Sequence, residues 1–299
     1  MAERTYYGGQ AVIEGVMMRG RKTMVTAVRH PSGSLVMDTK PLPSLYTGRL
    51  RGTPLVRGVI VLIEAMALGV SALMYSANVA LEEEEEAGGV PGGLLWLTVL
   101  GALAFAVSLF FLVPLFLTKL LDPYINSSIV FNLIEGVIRL GIFVAYLRIV
   151  GLFPDIKRVF AYHGAEHKTV NAYEHGVSLE VEAIRKYGTA HVRCGTSFMF
   201  IVLVIAIIVF ALVGLPSLWL MVLSRVVLIP VIAALGYEVT YYAGRHPGNG
   251  LVRVLLAPGL WLQSLTTREP DDSQLEVAVT ALGKVVEIDG LEELAQPAA

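Results

Sequence analysis

The sequence predicts a mainly α, polytopic helical membrane protein with about four transmembrane helices, one or two interfacial or re-entrant helices, and a small N-terminal β unit. Three observations predict it. Of the 299 residues, 55% are hydrophobic and 16% charged, and the mean hydropathy is +0.65. A soluble domain averages about 45–50% apolar and about 25% charged, and single cores stop growing near about 250–300 residues, so the excess has no larger core to enter. The apolar residues also fall into runs of roughly 20, the length that crosses a bilayer. Finally, Lys and Arg are concentrated between some runs and nearly absent between others, the asymmetry that sets membrane orientation. A soluble enzyme and a disordered chain are excluded.

Residues 1–53 are read as a cytoplasmic β unit. Met24-Val25-Thr26-Ala27-Val28 is strand-like, His30-Pro31-Ser32-Gly33-Ser34 a turn, and Leu35-Val36-Met37 the return strand. Gly8-Gly9 and Gly15 suggest tight packing or bends. The start, MAERTYYGGQ, has no apolar core of the secretory type.

Residues 54–93 are expected to form an interfacial or re-entrant helix followed by an acidic turn. Leu55–Leu81 is long enough to cross but carries Glu64, Ser71, Ser76 and Asn78, and Glu82–Glu86 reads as a solvated turn. Residues 94–272 form the membrane domain. Its spans are Leu94–Leu121, Ile129–Leu152, Thr196–Leu215 and Leu218–Leu235, with Leu251–Leu265 short and interrupted by Pro258-Gly259. Residues 273–299 are read as a cytoplasmic helix and tail, with Asp272 or Ser273 capping an amphipathic helix to about Val286.

Charge placement gives the topology. Residues 1–58 hold nine Lys or Arg and three acids; the 153–195 connection holds six basic residues, and the 119–128 loop one. Four spans then put both termini and the 153–195 loop in the cytoplasm of a bacterial cell, with the protein in its inner membrane. Were Leu55–Leu81 to cross, the two basic regions would face opposite sides. The lipid bilayer is thus the first partner. Net charge −2 and a pI of about 6.3 suggest no nucleic acid, and a lone cysteine, Cys194, excludes an internal disulfide.

Four of the six histidines lie between 163 and 191. Asp155 is a plausible N-cap and Gly176 a plausible stop for a helix there, with a second short helix from Ser178 to near Gly188. His163-Gly-Ala-Glu166-His167 is an H-x-x-E-H match. On a helix the two histidines sit one turn apart on one face and can reach one ion, with Glu166 beside them as a general base, the order of the inverted zinc peptidases. The cofactor expected is a divalent metal, zinc by ligand type. A catalytic zinc needs a third protein ligand. Glu238 is ranked first, being distant and near the same membrane face; His191 follows, then Cys194, then Glu174, which lies roughly 10 Å along the helix from His167. Within the second span, Glu135 and Arg139 are i, i+4 and can pair. Arg225 is expected to face protein or to snorkel.

GGQAVIEGVMMRG, YHGAEHKTVNAYE, HVRCGTSF and TTREPDDSQLEVA together resemble the bacterial YqhQ-like family, over nearly the whole chain. That resemblance implies a membrane protein of unknown function, described as a predicted metal-dependent enzyme. Its motif positions here are Glu14, His163, Glu166, His167, Glu174, His191, Cys194 and Glu238; Val192 stands where a proline is usual. The leading functional expectation is a membrane-embedded hydrolase acting on an unknown protein or lipid-like substrate. The alternatives are a scaffold or assembly factor with a structural His/Glu cluster, and a transporter using Glu135, Arg139 and Arg225.

Overall fold

The computed structural model describes residues 7–81, 92–214, 217–246 and 249–295. The acidic run Glu82–Glu86 lies outside them. The first strands are β1 (Gly8–Val12), β2 (Gly15–Arg19), β3 (Thr23–Arg29) and β4 (Leu35–Pro41), an antiparallel meander in chain order. The expected hairpin is β3–β4; the Gly8-Gly9 and Gly15 segments, read as tight packing or bends, are strands that extend it, tightly packed at Gly9 and Gly15. Gly15 has to be glycine, because a Cβ there would meet the Ala27 carbonyl at 2.4 Å.

Alternation gives the sheet two buried faces. Val12, Met17, Met24 and Val28 pack under the helix α2 (Val56–Leu81), after a short turn α1 (Ser44–Thr47). Val16, Met18, Val25 and Ala27 form a second core with residues of later helices, introduced next.

After α2 come α3 (Gly92–Val107), a five-residue π turn (Ser108–Leu112) and α4 (Val113–Lys119), which together make one span, Trp96–Lys119. Pro114 opens α4 and removes a backbone donor, and the wider turn precedes it. The span α5 (Ser128–Val150) follows, then α6 (Pro154–Glu174), the short α7 (Val181–Ile184) and the span α8 (Gly195–Val213). The expected straight span Leu218–Leu235 is instead two helices, α9 (Leu218–Val227) and α10 (Ile229–Arg245), bent by 45°. Pro230 at the start of α10 is the reason: it cannot donate into α9 and its ring crowds the preceding turn. By contrast, α11 (Gly250–Thr266) continues through Pro258, which does not interrupt it. The last helix, α12 (Asp272–Ala295), runs well past Val286. Its cap is neither Asp272 nor Ser273: Asp271 Oδ1 accepts from Gln274 N at 2.9 Å.

The second sheet core unites three distant stretches: the strands, α6–α7 through Tyr162, Ala165, Val170 and Ile184, and α12 through Leu275, Ala278, Leu282 and Val285. All three therefore lie on one side of any membrane. Between the sheet and α6 lie three candidate spans, α2, α3–α4 and α5, of which an even number must cross; α2, with a mean hydropathy of 2.0, is the one that also packs on the sheet. It does so with Ile60, Leu68, Ala72 and Val79 turned inward and Ile63, Met66 and Leu73 outward. From α6 back to α12 the same parity requires an even number of crossings; α8 and the bent α9–α10 are the candidates by length and composition, with α11 packed beside α8. Close helix approaches use small residues: a Cβ on Gly58 of α2 would meet Ala234 of α10 at 2.6 Å, and one on Gly136 of α5 would meet Ile207 of α8 at 2.3 Å.

Inside the bundle the Glu135–Arg139 pair has a third member. Arg225 Nη2 donates to Glu135 Oε2 at 2.5 Å and to Asn132 Oδ1 at 3.0 Å. Arg139 Nη2 donates to the same carboxylate, and its Nε donates to the Phe110 carbonyl, within the π turn, at 2.9 Å. The Phe210 ring lies beside both guanidiniums, with centroid distances of 5.2 and 4.2 Å. All three charged side chains are at most 1% exposed.

Candidate metal centre and its cavity

The helix α6 begins with Pro154 at its first position and Phe153 at the N-cap, with Asp155 in the first turn rather than capping it. It ends where Gly176 adopts φ +73°, as its sequence position suggests. His163 and His167 point from one face, ring centroids 4.4 Å apart. Gly164 between them lets the chain after α11 pass close by: a Cβ there would meet the Arg268 carbonyl at 2.1 Å.

That close passage fixes both rings. His163 Nδ1 donates to the Thr266 carbonyl at 2.9 Å, and His167 Nδ1 donates to the Thr189 carbonyl at 2.5 Å. A carbonyl can only accept, so each neutral ring carries its proton on Nδ1 and presents an electron pair at Nε2. His163 Nε2 lies 3.3 Å from Cys194 Sγ. His167 Nε2 lies 3.5 Å from Glu166 Oε2. Cys194 caps α8, its sulfur accepting from Thr196 N at 3.3 Å. The ligand atoms of His163, His167 and Cys194 all fall within 4.8 Å of one another.

The other expected ligands are placed as follows. Glu238, ranked first, is not at the cluster: its carboxylate grips Arg57, accepting from Nε at 2.8 Å, and takes the Leu55 N–H at 2.8 Å. The physical reason is that α10 packs against the start of α2, where a cation and an exposed N–H already satisfy a carboxylate. His191 is adjacent, its ring 5.7 Å from that of His167. Burial holds its imidazole below the usual value of 6.5, with Glu166 pulling the other way. Glu174 reaches His191 Nε2 at 3.5 Å and is held by Arg193. Glu14, at φ 50° in the β1–β2 turn, is bound at 2.6 and 2.5 Å by Arg158.

These groups line a cavity of about 230 Å³. One wall carries His163, Glu166, His167, His191 and Cys194; the other comes from β1, β2, the 3-10 turn Arg49–Gly52 and α2 and carries Gly9, Arg19, Arg51 and Glu64. Gly9 is required at that point, since a Cβ would press on Glu166 Cγ at 2.8 Å. Glu64 receives Arg19 Nε at 2.9 Å and Arg51 Nη1. Sequence reasoning missed Arg19 and Arg51 as site residues, because nothing local links them to the histidines. The bundle triad lines no part of this cavity.

Comparison with known proteins agrees on kinship. The family model described as "Protein of unknown function (DUF1385)" matches residues 53–288, so the strands precede the matched stretch. "Uncharacterized protein YqhQ" of Bacillus subtilis (strain 168) is 37% identical over 301 residues, covering 96% of this chain and 94% of that one. No solved structure matches.

Proposed function

The chain belongs to the DUF1385 family of proteins of unknown function, and we propose that it is a membrane-embedded, metal-dependent hydrolase whose site faces the cytoplasm. One observation carries the reading. Four electron-pair donors, Nε2 of His163 and His167, Cys194 Sγ and Glu166 Oε2, converge, and both ring protons are committed to carbonyls on the far side. The Cys194 S–H can donate to His163 Nε2, but one thiol proton answers one contact, whereas a cation among the four would answer them together. Two imidazoles held through their second nitrogens are also how ligating histidines are oriented. A tetrahedral zinc would set its N and S ligands roughly 3.3–3.8 Å apart, and His163 Nε2 and Cys194 Sγ are 3.3 Å apart. Two nitrogens and a thiolate suit zinc better than magnesium or calcium.

Three protein ligands facing a cavity, rather than four closing on the ion, is the arrangement of a catalytic site. Bound there, the ion would supply a Lewis acid and make water more acidic. Glu166 is buried beside that position and can take the proton from an attacking water; His191, across the cavity, can hand one to a leaving group. The basic residues before α2 and between α5 and α8 favour a cytoplasmic position for this side, in a bacterial inner membrane.

Elemental analysis of purified protein tests the reading. One equivalent of zinc-class metal is expected, lost in His163→Ala and Cys194→Ser and kept in Glu166→Gln. Glu238→Gln should keep it as well. Absence of stoichiometric metal from the parent protein rejects the proposal.

A further inference from the structure

Resting on the hydrolase reading, we infer that the substrate is a phosphate-bearing amphiphile, with Arg19 and Arg51 holding its anionic group. The wall opposite the histidines carries an excess of positive charge. Arg19 and Arg51 share a single carboxylate, Glu64, and both donate to the Tyr46 carbonyl at 3.2 Å. Two guanidiniums share one directly bonded carboxylate, with Asp289 acting on Arg19 only at longer range. Among the described residues, Arg19 Nη1 and Arg51 Nε and Nη2 donate to no protein acceptor, and both side chains line the cavity.

That arrangement is costly unless something offsets it. Burial pushes both guanidiniums down, Arg51 to about 10, with Arg19 repelling it. A simple structural pair would need one arginine. A second, aimed into the same cavity as a nucleophile-activating carboxylate, provides the planar N–H fork that suits phosphate oxygens. The apolar half of the ligand follows from α2. This helix gives the cavity Val61, Ala65 and Leu68, while its outer face, Ile63, Met66 and Leu73, is exposed. With α2 read as an interfacial helix, its exposed apolar face would meet the bilayer and bring the cavity beside it. A headgroup can sit on the arginines with its chains still among lipids, and an ester bond between them would reach Glu166.

The test uses the full chain in a maltoside detergent, with three probes: dihexanoylphosphatidic acid, dihexanoylglycerol and inorganic phosphate. Binding is read by calorimetry and metal content is measured on the same samples. Dihexanoylphosphatidic acid should bind at least about tenfold tighter than either of the others. Arg51→Gln should weaken it at least tenfold with metal content unchanged, and Arg51→Lys should recover part of the loss. Glu64→Gln works in the opposite direction: it frees both arginines and should tighten binding several-fold, a result that a purely structural ion pair would not give. Equal binding of the phosphatidic acid and the neutral glyceride, equal binding of free phosphate, or an unchanged affinity in Arg51→Gln each overturns the inference. Loss of the metal result alone would instead reject the hydrolase reading and leave the anion site standing.

Discussion

The Arg139–Glu135–Arg225 group in the bundle and the His163–His167–Cys194 group beneath the sheet are both buried, and both join helices far apart in the chain. They differ in how their polar atoms are answered. In the bundle, donors meet acceptors: the carboxylate takes both arginines, and the remaining charge goes to Asn132, the Phe110 carbonyl and the Phe210 ring. In the other group, two imidazole nitrogens and a carboxylate converge on a single thiol, at the edge of a cavity, with fewer protons than electron pairs. A closed set is explained by the fold alone. A set that lacks its counter-charge requires something from outside the chain. Buried charge by itself does not separate structure from function; complementarity does.

The comparison breaks most sharply at Glu135. Glu135→Gln leaves two guanidiniums unanswered in a nearly dry bundle, and removing one partner of a buried pair costs about 3–5 kcal/mol. Arg139→Gln should cost less, because Arg225 keeps the carboxylate satisfied through its fork. Thermal unfolding in detergent is the measurement. If the two substitutions destabilise equally, the three residues do not form one unit.

The metal group should respond to solution composition, as the bundle triad does not. A ligand present at about 100–1,000 times its Kd stabilises the folded state by about 2.7–4.1 kcal/mol. A chelator should therefore lower the melting temperature of the parent protein and of Glu135→Gln alike, and leave His163→Ala unmoved. A smaller loss is expected from Gly164→Ala. Its methyl would meet the Arg268 carbonyl at 2.1 Å, and overpacking of this kind costs about 1–3 kcal/mol. Because that contact sets the segment carrying the Thr266 carbonyl, metal content should fall with it. Undiminished metal would show that the histidine tautomers do not depend on this packing.

The same contrast explains what was legible in the sequence. Spans could be read because apolar runs are local. His163, Glu166 and His167 could be read because a helical turn brings i and i+4 together. The third ligand could not, because nothing in spacing distinguishes Cys194, which caps α8 beside α6, from Glu238, which α10 carries to Arg57. The helix α2 was ambiguous for a similar reason. Its length suits a span, and only the shared core of strands, α6 and α12, which requires an even number of crossings between them, together with its packing on the sheet, favours an interfacial position. The strands β1 and β2 were hidden by glycines whose need is tertiary, Gly9 against Glu166 and Gly15 against Ala27. Arg19, Arg51 and Glu64 come from three elements and leave no local pattern.

The smallest effect expected concerns His191, which stands between the two kinds of group. Its backbone is held as tightly as the triad: Gln263 Oε1 accepts its N–H at 2.9 Å, and Gln263 Nε2 donates to its carbonyl at 2.8 Å. Its ring nevertheless faces the cavity, and burial keeps the imidazole below its usual 6.5. In the unfolded chain that ring takes a proton once the pH falls under about 6.5, while the folded protein keeps it neutral. The unfolded state then binds more protons, so the stability His191 provides is complete above that pH and is lost progressively as the pH falls toward the folded value. His191→Gln removes the titration and keeps an amide for Glu174. Compared with the parent between about pH 7.5 and 5.5, the variant should show a flatter fall in melting temperature. An equally steep fall would mean that the neutral ring is not what makes the folded site sensitive to acid, and that protonation elsewhere in the cavity, with release of the bound cation, governs it instead.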